Sequence, residues 1–363
     1  MAGMTRVITA TAGSAAYRIM IGASILREAL GGETAASFES LAVVVNSRVY
    51  GLNREYIDES LAAPGNRCRL MLMDDGEESK NYAYAGRFLE QFLESGMNRK
   101  SAVIGIGGGV TGDFAGYCAG VFMRGIPVIH VPTTLLAMVD SSIGGKAAVN
   151  LTAGKNIVGV FHQPALVVSD TQFLSTLPER ELGNGLAEAL KHGCIGEERT
   201  LPLLEENDRE SIKAPDRVTE LVSLSAAFKS RIVREDERER NLRAILNFGH
   251  TVGHAIESSL SYHGITHGEA VAAGMRVKVE IARRMGILSD DEAGRVARVI
   301  ERYGLMPPRR PFDIDLIMEH MKYDKKNFGG AINFVLLRGL GNPIINQQVP
   351  GGLMKEVMAD VLC

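Results

Sequence analysis

The chain has 363 residues, 45% of them apolar and 23% charged, with a formal net charge of −3. That length suits two domains, or one large domain with an accessory half, and is enough to fold without disulfide or metal. The near-neutral balance argues against nucleic acid as a partner.

Cys68, Cys118, Cys194 and Cys363 are scattered without a CxxC pair and read as reduced thiols of a cytoplasmic protein. Arg6, Arg18 and Arg27 interrupt the first apolar stretches, so no signal peptide is expected. Glycine or proline breaks the longest charge-free runs, so no membrane span is expected either.

In chain order, five short and nearly continuous apolar runs read as buried strands. They are LAVVVN (41–46), RLMLM (69–73), SAVIGIG (101–107), PVIHVP (127–132) and ALVVSD (165–170). Helical patterns such as NYAYAGRFLEQFLESG (81–96) lie between several of them. Such alternation predicts a parallel sheet covered by helices. After about Thr171 the strand signal fades. Leu177 to Tyr303 reads as a series of amphipathic helices, with the EDERER run (235–240) as a solvated helix face. Only AINFVLL (331–337) looks strand-like again. The expected architecture is an α/β nucleotide-binding domain over 1–171, followed by a mainly α-helical domain over 172–363.

Gly107 to Gly112 satisfies G-x-G-x-x-G between a predicted strand and a predicted helix. Glycines there let backbone approach a pyrophosphate that the helix N-terminus favours. By itself the match is weak, since tight glycine turns after strands are common. Asp113 adds an acceptor beside the turn, and GEESK (76–80) offers Glu77 and Lys80 in a charged turn whose plain reading is solvated. PTTLLAMVDSSIGGK (132–146) joins Thr133, Thr134, Asp140, Ser141 and Ser142 to two glycines and Lys146; GKN (154–156) adds Lys155 and Asn156. Glycines beside lysine and small hydroxyls suit an anion better than they suit a plain surface loop.

Glu188 and Lys191, three apart in a helical pattern, share a face, most simply as a surface ion pair. His250 and His254 are four apart on one helix, a spacing used by two-ligand metal sites. A hydrogen-bonded histidine pair explains that spacing equally well. His267 or His263 supplies a third ring and Glu188 an oxygen; spacing alone does not choose among these histidines. Two histidines and a carboxylate with one position open are typical of catalytic zinc. His130, His162, His192 and His320 read as structural. Lys229, Arg243 and Asn247 bring cations and an amide to the same half, and DKKNFGG (324–330) adds Lys325 and Lys326.

Taken together and in this order, GGGVTGD, RGIPVIHVPTTLLAMVDSSIGGK, GKN, FLSTLPEREL, GLAEALK, LRAILNFGHTVGHAIE, HGEAV and DKK resemble the 3-dehydroquinate synthase family of sugar phosphate cyclases. The likeness runs from about residue 76 to about 330, some two-thirds of the chain. The resemblance implies a Rossmann-like N-terminal domain, a helical C-terminal domain and a homodimer. It implies Zn2+, with Co2+ as a substitute, held by Glu188, His250 and His267, so that His254 faces substrate instead. NAD would contact Asn46, Glu77, Lys80, Gly108, Gly109, Val110, Asp113, Thr133, Thr134, Asp140, Lys146, Lys155, Phe173 and Thr176. Substrate would be held by Lys146, Asn156, Lys191, Lys229, Arg243, Asn247, His254 and a lysine of the pair Lys325 and Lys326. Arg124 would reach a phosphate across the dimer interface.

The implied reaction converts 3-deoxy-D-arabino-heptulosonate 7-phosphate to 3-dehydroquinate and phosphate. It runs through transient oxidation by NAD, phosphate elimination, reduction and an intramolecular aldol closure. Two positions depart from the family pattern: Asn46 stands where aspartate is frequent, and Asn241 where glycine is common. Related cyclases acting on other sugar phosphates alter SSIGGK and GHTVGH, which this chain keeps. A metal-dependent polyol dehydrogenase would need no phosphate cradle of Lys146, Asn156 and Asn247. A non-catalytic NAD sensor would need no zinc-type ligands.

Overall fold

The computed structural model describes residues 5–13, 15–152, 154–239, 241–261, 263–323 and 333–363. A seven-stranded sheet is built from β1 (Arg6–Ala12), β2 (Ala15–Gly22), β3 (Leu41–Asn46), β4 (Cys68–Met73), β5 (Ala102–Gly107), β6 (Val128–Pro132) and β9 (Leu166–Asp170). The spatial order is β1-β2-β9-β6-β5-β3-β4, parallel throughout except for the β1–β2 hairpin. The five strands read from sequence are all present within a residue of their expected ends.

Their continuous apolar character has a simple cause. Side chains alternate across a strand, and both faces of this sheet are covered. Ala42 and Val44 of β3 pack with Phe88, Phe92, Phe114 and Tyr117 on one face. Leu41, Val43 and Val45 pack with Leu26, Leu30, Ile57 and Ile104 on the other.

Besides the sheet there are two small hairpins, of whose strands only Asn333–Leu337, within AINFVLL, was expected from sequence. β7 (Lys146–Leu151) pairs antiparallel with β8 (Gly154–Phe161), and β10 (Asn333–Leu337) pairs antiparallel with β11 (Pro343–Gln348). In β8 no position is fully buried, so the strand carries no long apolar run to find. The N-terminal hairpin was missed for a related reason, its edge strand β1 being largely exposed at its start.

By contacts the chain divides into two compact units, 1–182 with 215–234, and 183–214 with 235–363. A single cut near residue 171 is therefore replaced by an interleaved division. The helix Pro215–Glu235 has an apolar stripe legible in sequence, but the stripe does not say which unit buries it. Its Lys229 pairs with Asp140 of the first unit. The second unit is mainly helical, with a core of Val252, Ile256, Val277, Ile281, Phe334 and Met358. No helix of the described residues is long and apolar enough to cross a membrane.

Candidate active site

In the first unit the strand order β4-β3-β5-β6-β9 reverses direction at β3, so the crevice beyond the carboxyl ends of β3 and β5 is the expected ligand position. Asn46 ends β3 and Gly107 ends β5. The helix Gly109–Val121 starts immediately afterwards with Gly108 at its N-cap, aiming its first N–H groups into that crevice. A Cβ on Gly107 would lie 2.5 Å from Thr111 Oγ1, so only glycine lets strand end and helix approach this closely. Thr133 N–H donates to Gly107 O at 2.9 Å, and Thr134 leads into a π-helical turn, Ala137–Ser141, that carries Asp140. A small cleft beside the turn is lined by Gly107, Gly108, Asp113, Ser141, Ser142 and Lys146.

The GEESK turn is not the solvated loop of its plain reading. Lys80 is 3% exposed, and its Nζ donates to Asp113 Oδ2 at 2.5 Å and Asn156 Oδ1 at 2.6 Å. Glu77 Oε1 accepts from Asn150 Nδ2 at 2.7 Å, and Asn150 Oδ1 accepts from Asn156 N–H at 2.8 Å. Four predicted residues, Glu77, Lys80, Asp113 and Asn156, thus form one polar network with Asn150, which the sequence reading missed. Lys229 Nζ meets Asp140 Oδ1 at 2.7 Å and donates to its carbonyl at 2.5 Å. Phe173 packs edge-on against Tyr56, with ring centroids 5.7 Å apart, and Thr176 Oγ1 accepts from Asn53 at 3.1 Å.

Not all predicted residues gather here. Lys155 is exposed on β8. Arg124 precedes β6, which puts it at the end of the sheet opposite the glycine turn. It has φ +70 in a groove with Glu39, Asn98 and Lys100. Lys325 and Lys326 lie outside the described residues.

In the second unit three helices bring Glu188, His250 and His267 together, with one ligand-type atom from each mutually within 4.8 Å. Glu188 sits in Glu179–Ile195, His250 opens His250–Ser259, and His267 opens His267–Arg284 behind a Thr266/Glu269 capping box. The last two helices cross almost backbone to backbone, since a Cβ on Gly274 would fall 2.0 Å from Gly249 O. Both imidazole Nε2 atoms face Glu188 Oε1, at 3.4 Å from His250 and 3.5 Å from His267. Behind them, His250 Nδ1 meets Phe248 O at 3.2 Å and His267 Nδ1 meets Glu257 Oε1 at 3.4 Å. Outer partners of this kind fix ring orientation at metal centres.

Glu188 is fully buried, its two oxygens have no hydrogen bond, and Lys191 Nζ is in ion-pair contact with Oε2. Burial by itself would raise the Glu188 carboxyl, but Lys191, His250 and His267 hold it well below the usual carboxylate range. Burial and the Lys191 cation hold His250 well below its usual value, which suits a neutral ligand. Burial opposes charge on His267, yet the neighbouring carboxylates of Glu188 and Glu257 push it up to about 10. A buried carboxylate with no hydrogen bond and two inward nitrogens make a donor set that fits a divalent ion.

The spacing-based pairing of His250 with His254 does not hold. No ligand-type group among the described residues contains both, and exposed His254 falls instead with Glu257 and His267. His263 belongs to no such group among the described residues. The surface-pair reading of Glu188 and Lys191 is also corrected, both being buried.

Residues 236–239 of the EDERER run are no helix face. The helix ends at Glu235, and Asp236 Oδ2 accepts from the N–H groups of Asn241 and Arg243 at 2.8 and 3.0 Å. Arg243 NH1 donates to Glu237 O at 2.7 Å, and Asn247 Nδ2 to Glu239 Oε1 at 3.1 Å. Glu239 and Glu257 are the acids that sequence reasoning missed. Glu257 was findable, standing three residues after His254 on one helical face.

The 3-dehydroquinate synthase N-terminal family model matches residues 70–184, and its C-terminal counterpart matches 185–327. The 3-dehydroquinate synthase of Methylococcus capsulatus is 43% identical over 319 residues, 87% of this chain and 88% of that one. The chain belongs to the 3-dehydroquinate synthase family.

Among solved structures, 2-deoxy-scyllo-inosose synthase complexed with carbaglucose-6-phosphate, NAD+ and Co2+ superposes with a TM-score of 0.87 at 28% identity. That match covers 98% of this chain and 100% of the other. The 2-epi-5-epi-valiolone synthase of Streptomyces hygroscopicus, with NAD+ and Zn2+ bound, gives 0.86 at 25%, covering 97% and 98%. The Rossmann-like first domain expected of the 3-dehydroquinate synthase family is the fold found here.

Proposed function

We propose that this chain is an NAD- and metal-dependent carbon–oxygen lyase converting 3-deoxy-D-arabino-heptulosonate 7-phosphate to 3-dehydroquinate and phosphate. This is a step of the shikimate pathway towards aromatic amino acids. The observation that carries the reading is the Glu188–His250–His267 set, its carboxylate fully buried with Lys191 against it, in a chain that also bears the glycine turn at a topological switch point. When bound, NAD+ would supply reversible hydride exchange and Zn2+ or Co2+ would supply Lewis acidity towards vicinal hydroxyls.

Glu188, His250 and His267 would hold the metal. Asn46, Glu77, Lys80, Gly108, Gly109, Val110, Asp113, Thr133, Thr134, Asp140, Lys146, Lys155, Phe173 and Thr176 would hold NAD. Lys146, Asn156, Asn247 and His254 would bind the substrate phosphate, with Lys325 or Lys326. Arg243 and Lys229 would bind its carboxylate, for which the planar guanidinium fork of Arg243 suits two parallel hydrogen bonds. Glu239 aligns the amide of Asn247, and Asp236 and Glu237 align Arg243. Lys191 keeps Glu188 anionic and offers ammonium protons to a substrate oxygen. These groups orient the substrate so that its own phosphate oxygen removes the neighbouring C–H proton as phosphate leaves.

We also place the enzyme in the cytoplasm as a homodimer, supported by four free cysteines and by Arg124, whose position at the far end of the sheet favours a role towards a second copy. The test is phosphate release from the heptulosonate phosphate with catalytic NAD+ and Zn2+, followed together with absorbance at the NADH band. Phosphate without accumulating NADH is expected. Stoichiometric NADH would replace the reading with a dehydrogenase.

A further inference from the structure

The set built on Glu188 does not exhaust the ligand chemistry of the second unit. His267 turns Nε2 towards Glu188 Oε1 at 3.5 Å and Nδ1 towards Glu257 Oε1 at 3.4 Å. His254 and Glu257 stand three apart on the helix His250–Ser259 and so share a face. Ligand-type atoms of His254, Glu257 and His267 lie within 4.8 Å of one another, the same limit that gathers Glu188, His250 and His267. The rings of His254 and His267 have centroids 6.0 Å apart. All of these residues belong to one compact unit.

The two sets differ in access to water. The Glu188 side chain has no exposure, whereas that of Glu257 is 14% and that of His267 32% exposed, and His254 is an exposed residue. A carboxylate behind a ligating histidine ordinarily does no more than accept its N–H. Here a further imidazole, His254, stands beside that contact, and two nitrogens with one carboxylate are a zinc donor set. Glu188 and Glu257 together offset much of the charge of two divalent ions.

We propose that His254, Glu257 and His267 form a second, weaker zinc site, at which excess Zn2+ inhibits the enzyme. His267 bridges the two ions, Nε2 facing the first and Nδ1 the second, with the Nδ1 proton passing to water. The second ion then lies about 6 Å from the first, against roughly 3.5–4 Å in co-catalytic two-metal centres, so it is no partner in the chemistry. Its effect is to take the imidazole of His254 away from the substrate phosphate. That consequence rests on the phosphate role given to His254 above, whereas the site itself rests on geometry.

The experiment titrates the full chain with Zn2+ and reads bound equivalents by native mass spectrometry and by competition with a chromophoric chelator. A Cys363→Ser background removes the exposed thiol as a rival ligand. Two equivalents are expected, the second roughly a hundredfold weaker because it is open to water and repelled by the first ion. His254→Ala changes an exposed residue, so it should spare folding, lose the second equivalent and keep the first within about twofold. Glu257→Gln should lose the second and weaken the first about tenfold, since it also steadies His267. With zinc set by a chelator buffer, filling the second site should raise the KM for the heptulosonate phosphate with little change in kcat. A single equivalent in wild type, or a second one that survives His254→Ala, would overturn the site while leaving the functional reading intact. Two equivalents without a change in KM would overturn the inhibition. A wild-type chain without the tight equivalent would overturn both the site and the functional reading.

Discussion

The crossing of the helices His250–Ser259 and His267–Arg284 makes a sharp claim: a single methyl group at residue 274 should disable the metal set without touching a ligand. In Gly274→Ala the new Cβ would lie 2.0 Å from Gly249 O, 2.9 Å from Gly249 C and 3.0 Å from Gly253 N. An ordinary non-bonded approach is about 3.5 Å, so the closest of these is short by roughly 1.5 Å. All three atoms are backbone, so no side chain can swing aside. The helices must part by something on the order of 1 Å. Metal–ligand distances tolerate only about 0.2 Å, several times less than that shift. Because His250 opens one helix and His267 the other, the whole displacement falls on the pair.

The expected cost is about 1–3 kcal/mol of stability from overpacking, together with a loss of zinc affinity of roughly a hundredfold. Competition against a chromophoric chelator reads the affinity, and thermal unfolding with and without zinc reads the stability. Gly86→Ala is the control, because a Cβ added there would meet nothing within 4 Å and the residue sits inside a helix, Tyr82–Glu94. That change should be neutral or stabilise by up to about 1 kcal/mol. Zinc affinity within twofold of wild type in Gly274→Ala would refute the reasoning, because it would mean that the close crossing does not set the histidine positions.

Two further outcomes follow from buried charge. Glu188→Gln removes the anion facing the buried Lys191 ammonium, so the metal-free protein should lose about 3–5 kcal/mol in denaturant unfolding, and zinc should no longer bind stoichiometrically. Unchanged unfolding would show that the lysine is not held by that carboxylate. His130 is pushed down to about 4, chiefly by burial and secondarily by His162. Its folded value lies below the unfolded value of about 6.5, so the unfolded chain binds the extra proton between those limits and stability falls as pH drops from about 6.5 towards 4. The loss at pH 5 relative to pH 8 should be about 2 kcal/mol from this residue, and His130→Gln should remove that part of the slope in urea titrations at the two pH values.

The parallel sheet was readable because burial of both strand faces leaves an unbroken apolar run, as in LAVVVN and SAVIGIG. The glycine turn was readable because only glycine permits the contact between residue 107 and Thr111. The hairpin β7–β8 was not, because no position of β8 is fully buried.

Family resemblance singled out Glu188, His250 and His267, which the structure brings together, whereas spacing paired His250 with His254, which it does not. Helical periodicity reports which side chains share a face of one helix, and it is silent about which helix crosses which. That crossing, set by backbone contact at Gly274 and Gly249, turns His250 and His267 onto Glu188 and leaves His254 outside the set. Burial likewise separates the ion pairs. Glu188 and Lys191 look like any i,i+3 surface pair in sequence, and only the packing of three helices around them buries that carboxylate beside His250 and His267.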